Sequence, residues 1–408
     1  MRKPPISTVV VVTDYGHVNG GQAKVAIDSA VGLRSRGYEV VFFCGAGPVD
    51  PQLDASGVRV ICLGQRDLLS ESSMLTAMRQ GLWNRKASSA LFTLLQDLDP
   101  ATSIIHCHGF AKALSPSIGP VIVNSPIPHV YTVHEFFLAC PNGGFYDFQE
   151  HAICTRRAMS VSCLTTNCDA RRISHKAWRV ARQAVLWSIG QMPRNLKNII
   201  YISETQRRVL EPYLSSGTRI FPVPNPITVA KRPRAQIEKN DIFLFVGRLN
   251  PEKGGAMFAE AARQADVHAV FVGGGPEEGA IHQINPSAEI LGWVSPSEVE
   301  TWLDRSRCLV FPSVWYETFG LVAYEAQARG VPVICGGWNA AAEGLSDERS
   351  GIVYTTPTAE ALAQALLRLK NGEAPIDGEA IFNRYWSSPF DMDAHLDKLC
   401  DVYEAIRP

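Results

Sequence analysis

The feature that most constrains the fold is an alternation of short β-branched runs with helix-like segments. The run 7–14 (STVVVVTD) is followed by an amphipathic segment that ends near Gly37, and a second apolar run begins directly after it at 38–45. This order predicts parallel strand pairing, because parallel strands need a crossover connection. Further strands are predicted over 103–109, 129–135 and 198–204. The chain is therefore predicted to be of the α/β class.

A second series of the same kind follows residues 221–241, a segment rich in proline and charge that is typical of an interdomain linker. Its predicted strands are 242–249, 268–275, 289–294, 308–313 and 331–337. The 408 residues also exceed the ~250–300 at which a single core stops growing. We therefore expect two doubly wound domains with a cleft between them.

Net charge and hydropathy bear on whether the chain binds nucleic acid, is secreted or spans a membrane. The formal net charge of -1 gives no overall attraction to nucleic acid. The apolar run at the start is short, rich in valine and ends at Asp14, so it is interpreted as a strand and not as a signal peptide. No run reaches the ~18 apolar residues of a membrane span. We expect a cytoplasmic protein whose ten cysteines are mostly reduced.

The stretch 313–337 (SVWYETFGLVAYEAQARGVPVICGG) places Glu317 and Glu325 eight residues apart after a predicted strand. Its middle, 319–321, is predicted to begin a helix, and the free N–H groups of a helix N-terminus attract an anion. Two carboxylates beside that site suit the hydroxyls of a nucleotide sugar. The alternative is that Glu317 is a solvated loop residue and that Glu325 only complements the helix dipole.

These residues resemble the Glu-x7-Glu signature of the retaining family 4 glycosyltransferases. The elements that match it are Glu317, Phe319, Gly320, Leu321, Glu325, Ala326, Gly330, Pro332 and Val333. The likeness extends through FVGRLNPEKGG, VFVGGGPEE, LGWVS and NGGQAKVA, and so covers most of the chain. It implies the GT-B fold, with two facing Rossmann-like domains and a C-terminal helix that returns to the first domain.

The resemblance, together with the linker, gives the expected domain limits. Residues 1–222 form the acceptor-side domain, which carries a cysteine-rich insertion at about 136–170. Residues 223–386 form the domain that binds the nucleotide sugar, here called the donor. Residues 387–408 form the returning helix.

Family roles are carried over position by position. Arg248 and Lys253, in GRLNPEKGG, match the cationic pair that holds the donor diphosphate, whose charge grows as it departs. Surface charge is the alternative for both. Glu325 resembles the residue that binds the donor ribose, and Glu317 the residue near the transferred sugar. The backbone near Gly292 and Val294 is expected at the nucleobase, and the amides of 319–321 (Phe319, Gly320 and Leu321) at the phosphates.

In the first domain, Gly20 and Gly21 resemble the loop that approaches the donor phosphates, although two glycines before a helix are also an ordinary tight turn. His134 resembles the active-site histidine that contacts the transferred sugar. A structural role is the alternative for a single strand-end histidine. Glu135 departs from the aspartate that the family commonly has next to it.

The implied activity is transfer of a sugar from a UDP- or GDP-sugar to a glycan or lipid-linked acceptor, with retention of configuration, in cell-surface polysaccharide or glycoconjugate synthesis. An Asp-x-Asp sequence would suggest a metal site for the donor, but Asp391 and Asp393 are better explained as first-turn helix acids. Catalysis is therefore expected to need no metal.

The pattern Gly-x-Gly-x-x-Gly of a Rossmann oxidoreductase is not matched by YGHVNGGQAK. A nucleotide-sugar epimerase and a non-catalytic glycan-binding relative remain as alternatives.

Four cysteines lie within the insertion, at Cys140, Cys154, Cys163 and Cys168. Such a cluster in a reducing compartment suggests a structural zinc site. Buried or idle thiols are one alternative and a disulfide is another.

The segment after the insertion, near 171–190, is basic and interleaved with Trp178 and Trp187. Such a helix could contact an anionic membrane surface and reach a lipid-linked acceptor. The alternative is a core helix with a solvated basic face.

Overall fold

The structure is a computed structural model in which residues 6–345 and 347–407 are described. Its strands are β1 (Thr8–Tyr15), β2 (Glu39–Ala46), β3 (Arg59–Gln65), β4 (Ser103–Cys107), β5 (His129–Thr132), β6 (Tyr146–Asp147), β7 (Ala152–Ile153), β8 (Asn198–Tyr201), β9 (Arg219–Pro222), β10 (Ile242–Val246), β11 (His268–Val272), β12 (Glu289–Ile290), β13 (Ser306–Phe311), β14 (Val333–Gly336) and β15 (Gly351–Tyr354).

The helices alternate with these strands along the chain. They are α1 (Gly21–Ser35), α2 (Pro51–Ala55), α3 (Met74–Leu82), α4 (Arg85–Gln96), α5 (Gly119–Val123), α6 (Val161–Thr165), α7 (Ile173–Trp187), α8 (Glu204–Leu210), α9 (Gly255–Ala265), α10 (Glu278–Ile284), α11 (Pro296–Asp304), α12 (Leu321–Ala328), α13 (Ala359–Lys370), α14 (Gly378–Ser387) and α15 (Met392–Ile406).

The first sheet holds seven strands in the order β3-β2-β1-β4-β5-β8-β9, and every pairing in it is parallel. Helices cover both of its faces, so the central strand β1 is buried on both sides. Residues 9–12, all valine, have no exposed surface. Burial on both faces is the reason that β1 is a continuous apolar run and not an alternating one.

The second sheet holds six parallel strands in the order β12-β11-β10-β13-β14-β15. Helices α9 and α13 pack on one face, where Phe258 lies against Phe271 with ring centroids 5.0 Å apart. The two parallel sheets, each flanked by helices, are the two Rossmann-like units predicted from the strand–helix alternation. The fold class is thereby confirmed.

The last helix, α15, packs on the first sheet's side of the molecule and not beside the second sheet. Leu396 and Tyr403 are buried among residues of β1 and α1. The Tyr403 hydroxyl lies 2.7 Å from Nδ1 of His106 in β4. The chain therefore returns from the second unit to the first. The precise domain limits at 222 and 386 stay a prediction.

The predicted strands agree with the observed ones to within a few residues, but five observed strands were not predicted: β3, β6, β7, β9 and β15. β3 and β9 are edge strands of the first sheet, and most of their residues are half-buried or exposed. An edge strand has a neighbouring strand on one side only, so more of it meets solvent and fewer of its residues need to be apolar. The apolar runs that predict strands from sequence are therefore weaker at the edges of a sheet.

The insertion between β5 and β8 contains the short hairpin β6–β7 and the helices α6 and α7. It reaches the second unit: the rings of Phe136 and Tyr316 lie 6.3 Å apart, and a Cβ placed on Gly144 would be 3.4 Å from the ring of Trp315. Among the described residues, no helix is both long and apolar enough to cross a bilayer.

Candidate active site

Two helix N-termini face each other across the cleft between the sheets. Helix α1 begins at Gly21 after Gly20, whose φ is 101°, and α12 begins at Leu321 after Gly320, whose φ is 85°. Both φ values lie in the region that favours glycine. A Cβ placed on Gly21 would lie 3.5 Å from Leu321 Cδ1. The first N–H groups of both helices are therefore close to one place, which is favourable for an anion.

The ring of Phe319 does not face this cleft. It is buried and stacks on Tyr324 with ring centroids 4.6 Å apart, and it also contacts Phe390. Packing of the ring fixes the loop, so only the backbone of this residue is available to a ligand.

A buried ion pair lies beside the helix termini. Nζ of Lys253 donates a hydrogen bond to Oε1 of Glu317, which also accepts from the Ser313 hydroxyl at 3.1 Å. Lys253 ends the 3₁₀ turn Pro251–Lys253 after β10, and Glu317 follows β13. Burial alone would raise the pKa of the Glu317 carboxyl, but the Lys253 ammonium and the hydrogen bonds outweigh it and lower that pKa. Glu317 is therefore ionised at neutral pH.

Lys253 also lies over an aromatic ring. Its Nζ is 4.8 Å from the ring centroid of Trp315, a cation–π contact. The lysine thus approaches the cleft from between a carboxylate and an indole.

Arg248 follows β10 and is exposed on the cleft side, near Lys112 from the first unit. Lys112 pairs with Glu135 at 2.9 Å. Burial lowers the pKa of Lys112 and the Arg248 charge does so too, but the Glu135 carboxylate outweighs both and raises it. Two cations from different units therefore share this part of the cleft. Lys112 was not among the predicted site residues.

Glu325 lines a cavity of about 260 Å³ on the other side of α12. Apolar side chains form most of its wall, among them Val294 and Val246. Burial raises the pKa of the Glu325 carboxyl, as does the nearby Glu300, while Lys24 opposes the rise. Gly292 lies next to the cavity with a φ of 70°, and its carbonyl accepts the Gly273 N–H at 2.8 Å. The cavity combines an apolar wall with a carboxylate at its edge.

His134 lies at the end of β5, against the loop that carries Glu317. Its carbonyl accepts a hydrogen bond from the Thr318 hydroxyl at 3.2 Å. Its Nε2 lies 3.0 Å from Nδ1 of His108, and the two rings are stacked. Burial lowers the pKa of His134 to about 3, with a smaller effect from His395. The imidazole is therefore neutral at physiological pH.

His108 was not predicted as a site residue. It is 1% exposed, and burial holds its pKa well below the usual range. Within the described chain its Nε2 has no hydrogen-bond partner. The sequence signal available was HCHG, which places a histidine directly after β4. Since β4 and β5 are neighbours in the sheet, their carboxyl ends bring His108 and His134 together.

The expectation of a zinc site at the four insertion cysteines is not supported. In the part of the chain that is described, no group of His, Cys, Asp or Glu side chains has the arrangement of a metal site, and all ten cysteines are free. Instead, Lys176 Nζ lies 3.0 Å from Cys168 Sγ and 3.6 Å from Cys163 Sγ. The sequence spacing could not show that an ammonium occupies the centre of the cluster.

The remaining cysteines of the cluster have separate contacts. Cys140 Sγ lies 3.0 Å from the Asn142 side chain, and Cys154 Sγ lies 3.7 Å from Arg156. Burial raises the pKa of the Cys168 thiol, and Lys176 offsets only part of that rise. The cluster therefore matches the alternative of buried thiols.

The basic segment forms α7, and its apolar side is packed into the protein. Arg182 lies over the rings of Phe137 and Trp178, and Nε1 of Trp187 donates to the Leu138 carbonyl at 3.0 Å. Burial, with a smaller effect from Arg179, lowers the pKa of Arg182 to about 10. The aromatic residues of this helix are therefore engaged in internal contacts.

The Asp-x-Asp sequence has the helix role predicted for it. Asp391 caps α15 by accepting the Ala394 N–H at 2.8 Å, and Asp393 pairs with Arg36. Both acids lie at the start of α15, away from the helix termini that face the cleft.

Two Rossmann-like units, facing helix N-termini and a cationic cleft define a protein of the GT-B class. The family model described as "Glycosyltransferase Family 4" matches residues 19–231, and "Glycosyl transferases group 1" matches residues 228–381. The first match alone covers more than half of the 408 residues, so the chain belongs to glycosyltransferase family 4.

Three similar proteins illustrate the relationship. A phosphatidyl-myo-inositol mannosyltransferase of Propionibacterium freudenreichii is 25% identical over 50% of this chain and 57% of its own length. A GDP-mannose-dependent alpha-mannosyltransferase of Corynebacterium glutamicum is 38% identical over 22% of each chain. The alignments with both relatives thus span less than two thirds of their lengths. The structure of Anabaena Alr3699/HepE in complex with UDP has a TM-score of 0.66 at 15% identity, over 98% of this chain and 100% of that one.

Proposed function

We propose that the protein transfers a glycosyl group from a nucleoside diphosphate sugar to an acceptor hydroxyl, with retention of anomeric configuration. The observation that carries this proposal is the place where Lys253, Glu317 and the N-termini of α1 and α12 meet. A departing diphosphate gains negative charge in the transition state, and a fixed ammonium and free N–H groups stabilise that charge. Retention is what family membership implies.

Each predicted donor residue has a role that its position allows. Arg248 and Lys253 hold the diphosphate with the amides at Gly21 and 319–321. These cations supply the countercharge, so the proposal needs no metal ion. Gly20 contributes by allowing the loop before α1 to approach closely.

The cavity beside Glu325 is assigned to the nucleoside. The cavity has a mostly apolar wall and two carboxylates, Glu300 and Glu325. The apolar wall suits a base, and the Glu325 carboxylate can accept hydrogen bonds from both ribose hydroxyls. Val294 contributes to the wall and Gly292 to the turn beside it. The Corynebacterium relative is named for GDP-mannose and the Anabaena protein holds UDP, so both bases enter the test.

The reacting sugar is placed between Glu317 and His134. The buried Glu317 carboxylate is already paired with Lys253, so we assign it to sugar hydroxyls and to the lysine and not to covalent attack on the anomeric carbon. A neutral His134 can donate or accept one hydrogen bond but carries no charge. Positioning of the acceptor hydroxyl against the anomeric carbon then supplies the remaining part of the rate enhancement.

We place the reaction in the cytoplasm, with a glycan or lipid-linked glycan as acceptor, in the synthesis of cell-surface glycoconjugates. Ten free cysteines support a reducing compartment. The Propionibacterium relative is named for a lipid acceptor. Membrane contact through α7 has less support, because Trp178, Arg182 and Trp187 are used in packing. We retain the domain limits 1–222, 223–386 and 387–408 as part of the proposal.

The test is a panel of UDP- and GDP-sugars, with thermal stabilisation and slow release of free nucleoside diphosphate as readouts. Glu325→Ala removes a proposed donor contact. Glu379→Ala makes the same change on the exposed first turn of α14 and serves as its matched control. We expect stabilisation by one donor that only Glu325→Ala loses. An altered but intact sugar nucleotide would indicate an epimerase, and no response to any donor would indicate a non-catalytic relative.

A further inference from the structure

We infer that a groove lined by arginines and aromatic rings, next to the proposed transfer site, binds the phosphate-bearing part of a sugar acceptor. This inference rests on the proposed function and names the class of its acceptor. The groove is a cavity of about 800 Å³ bounded by three separate segments. They are the insertion around 145–157, helix α8 with the turn after it, and the second unit's residues 316 and 337–338.

The charge of the groove is positive throughout. Arg156, Arg157 and Arg208 line it, and none of its described lining residues is acidic. The nearest carboxylates on α8 and the turn after it, Glu204 and Glu211, both pair with Arg207 at 2.6 and 2.7 Å. Neither carboxylate lines the groove, and Arg207 offsets one of their two charges.

Two of these arginines are available to a ligand. Among the described residues, the side chain of Arg157 has no hydrogen-bond or ion-pair partner, and the side chain of Arg208 donates only to two neutral oxygens, the Glu204 carbonyl and the Thr205 hydroxyl. Arg156, in contrast, is held by Asp147 at 2.9 Å. An arginine fork matches a phosphate group in two parallel hydrogen bonds, which is stronger and more specific than a lysine contact.

A second cavity of about 480 Å³ continues the groove away from the cleft. It shares Arg157 and Tyr213 with the first cavity and adds Arg194 and Trp187. Within the described chain Arg194 also has no ion-pair partner, and no acidic residue lines this cavity. The cationic surface is therefore longer than a single phosphate group requires.

Aromatic rings alternate with the arginines. Tyr213, Tyr316 and Trp338 line the first cavity, with Phe145 behind them. Sugar rings carry apolar C–H faces that pack against aromatic faces, while their hydroxyls stay in water. Rings for sugars beside guanidinium groups for phosphates fit a phosphorylated glycan better than either a neutral sugar or a free phosphate.

The near end of the groove meets the proposed transfer site. Nε1 of Trp338 donates to the Ser313 carbonyl at 2.8 Å, and the Ser313 hydroxyl donates to Glu317 at 3.1 Å. Tyr316 precedes Glu317 in the chain and packs on Phe136. The end of the groove at Tyr316 and Trp338 therefore lies next to the loop that carries Glu317, and we place the reacting end of the acceptor there.

The experiment measures binding by isothermal titration calorimetry with three probes: lactose 1-phosphate, lactose and inorganic phosphate. The variant is Arg157→Gln/Arg208→Gln, and its matched control is Arg59→Gln/Arg85→Gln, two exposed arginines on β3 and α4. We expect wild type and control to bind lactose 1-phosphate about 10- to 100-fold more tightly than lactose or phosphate, from hydrogen bonds to a charged group. The groove variant should lose that preference at an unchanged melting temperature.

Equal binding of lactose 1-phosphate and lactose by wild type would overturn the inference, and so would a preference that survives in the groove variant. A fourth probe in the same titrations is a lipid-linked sugar, farnesyl-diphosphate-linked N-acetylglucosamine. Tighter binding of this lipid than of lactose 1-phosphate would identify a lipid-linked source of the phosphate, and equal binding would identify a water-soluble one; both support the inference. Thermal stabilisation by nucleotide sugars is measured on the same samples. If none stabilises wild type, the proposed function fails, while the titrations still decide the groove.

Discussion

Two lysines, one half-buried and one buried, show how differently the same side chain is used in the two halves of this protein. Lys253, in the second unit, contacts the carboxylate of Glu317 at the edge of the cleft. Lys176, in the insertion of the first unit, is 1% exposed and lies among the thiols of Cys163 and Cys168. Lys253 has a formally charged partner, whereas Lys176 lies beside Cys168, where burial raises the pKa of the thiol and so favours its neutral form.

The difference teaches that the partner's ionisation, and not burial alone, assigns a role to a buried cation. An ammonium beside an ionised carboxylate is fixed in place, and its remaining donors can meet a second anion. An ammonium among neutral thiols has no such counterion, so its position reflects packing around it. We therefore expect replacements of the two lysines to have unlike consequences.

The largest effect is expected for Lys253→Met. Turnover should fall by about 10²- to 10³-fold, because a fixed cation for the departing diphosphate is lost. The free energy of unfolding should also fall by about 3–5 kcal/mol, because Glu317 remains buried without its counterion. Steady-state kinetics and urea unfolding measure the two losses, with Lys253→Arg as the variant that retains charge. Wild-type turnover in Lys253→Met would remove this residue from the site.

The second-largest effect is expected in the pH dependence of donor binding. The pKa of Glu325 is raised by burial and by Glu300, so this carboxyl becomes protonated above the usual range for glutamate as the pH falls. Donor affinity should therefore drop by about 10- to 100-fold on acidification through that window, since only the ionised carboxylate makes charge-assisted hydrogen bonds. Calorimetric titrations from neutral to acidic pH measure it.

The pH dependence of folding stability in the ligand-free protein provides a control, because it should run in the direction opposite to that of donor affinity. A raised folded-state pKa means that the ionised Glu325 costs folding stability, so stability without donor should rise as the pH falls through the same window. Glu317 does not titrate there, because its pKa is lowered. Glu325→Gln should abolish both trends, and a donor affinity that still falls in that variant would assign the titration to another group.

A smaller effect is expected for His108→Phe. The ring volume is kept, but the hydrogen bond of 3.0 Å to His134 is lost. Turnover should fall about fivefold with little change in KM, as one misplaced hydrogen bond costs about 1 kcal/mol. The pH profile of wild-type turnover should show no titration of His134 near neutral pH, because burial lowers the pKa of this imidazole to about 3. A KM change without a turnover change would assign His108 to donor binding instead.

The smallest effect is expected for Lys176→Met. Removing an ammonium from neutral thiols leaves no buried charge behind, so the free energy of unfolding should change by less than about 1 kcal/mol. Urea unfolding alongside Lys253→Met measures the contrast directly. A loss of unfolding free energy as large as that of Lys253→Met would mean that Lys176 has a thiolate as its partner. If native mass spectrometry found one zinc ion bound per protein molecule, the interpretation of the four insertion cysteines as buried thiols would be wrong.

Much of the donor half could be predicted because its signals are local. Strand β13, the loop with Glu317 and helix α12 with Glu325 follow one another within 306–328, and a strand-end rule places them at one edge. The zinc prediction was not supported for a complementary reason. Spacing places four cysteines in one segment, but Lys176 comes from the following helix, α7, and only packing puts its ammonium among them.

By itself, the sequence determined the two α/β units, the family and the residues at the ends of the strands, because periodicity and strand-end chemistry depend on neighbours in the chain. The tertiary structure alone decided which distant side chains meet. His108 beside His134, the Tyr403 hydroxyl on His106 and the groove between the insertion, α8 and Trp338 join segments far apart in sequence. Such contacts depend on how helices and sheets pack in three dimensions, and no local pattern in the chain records them.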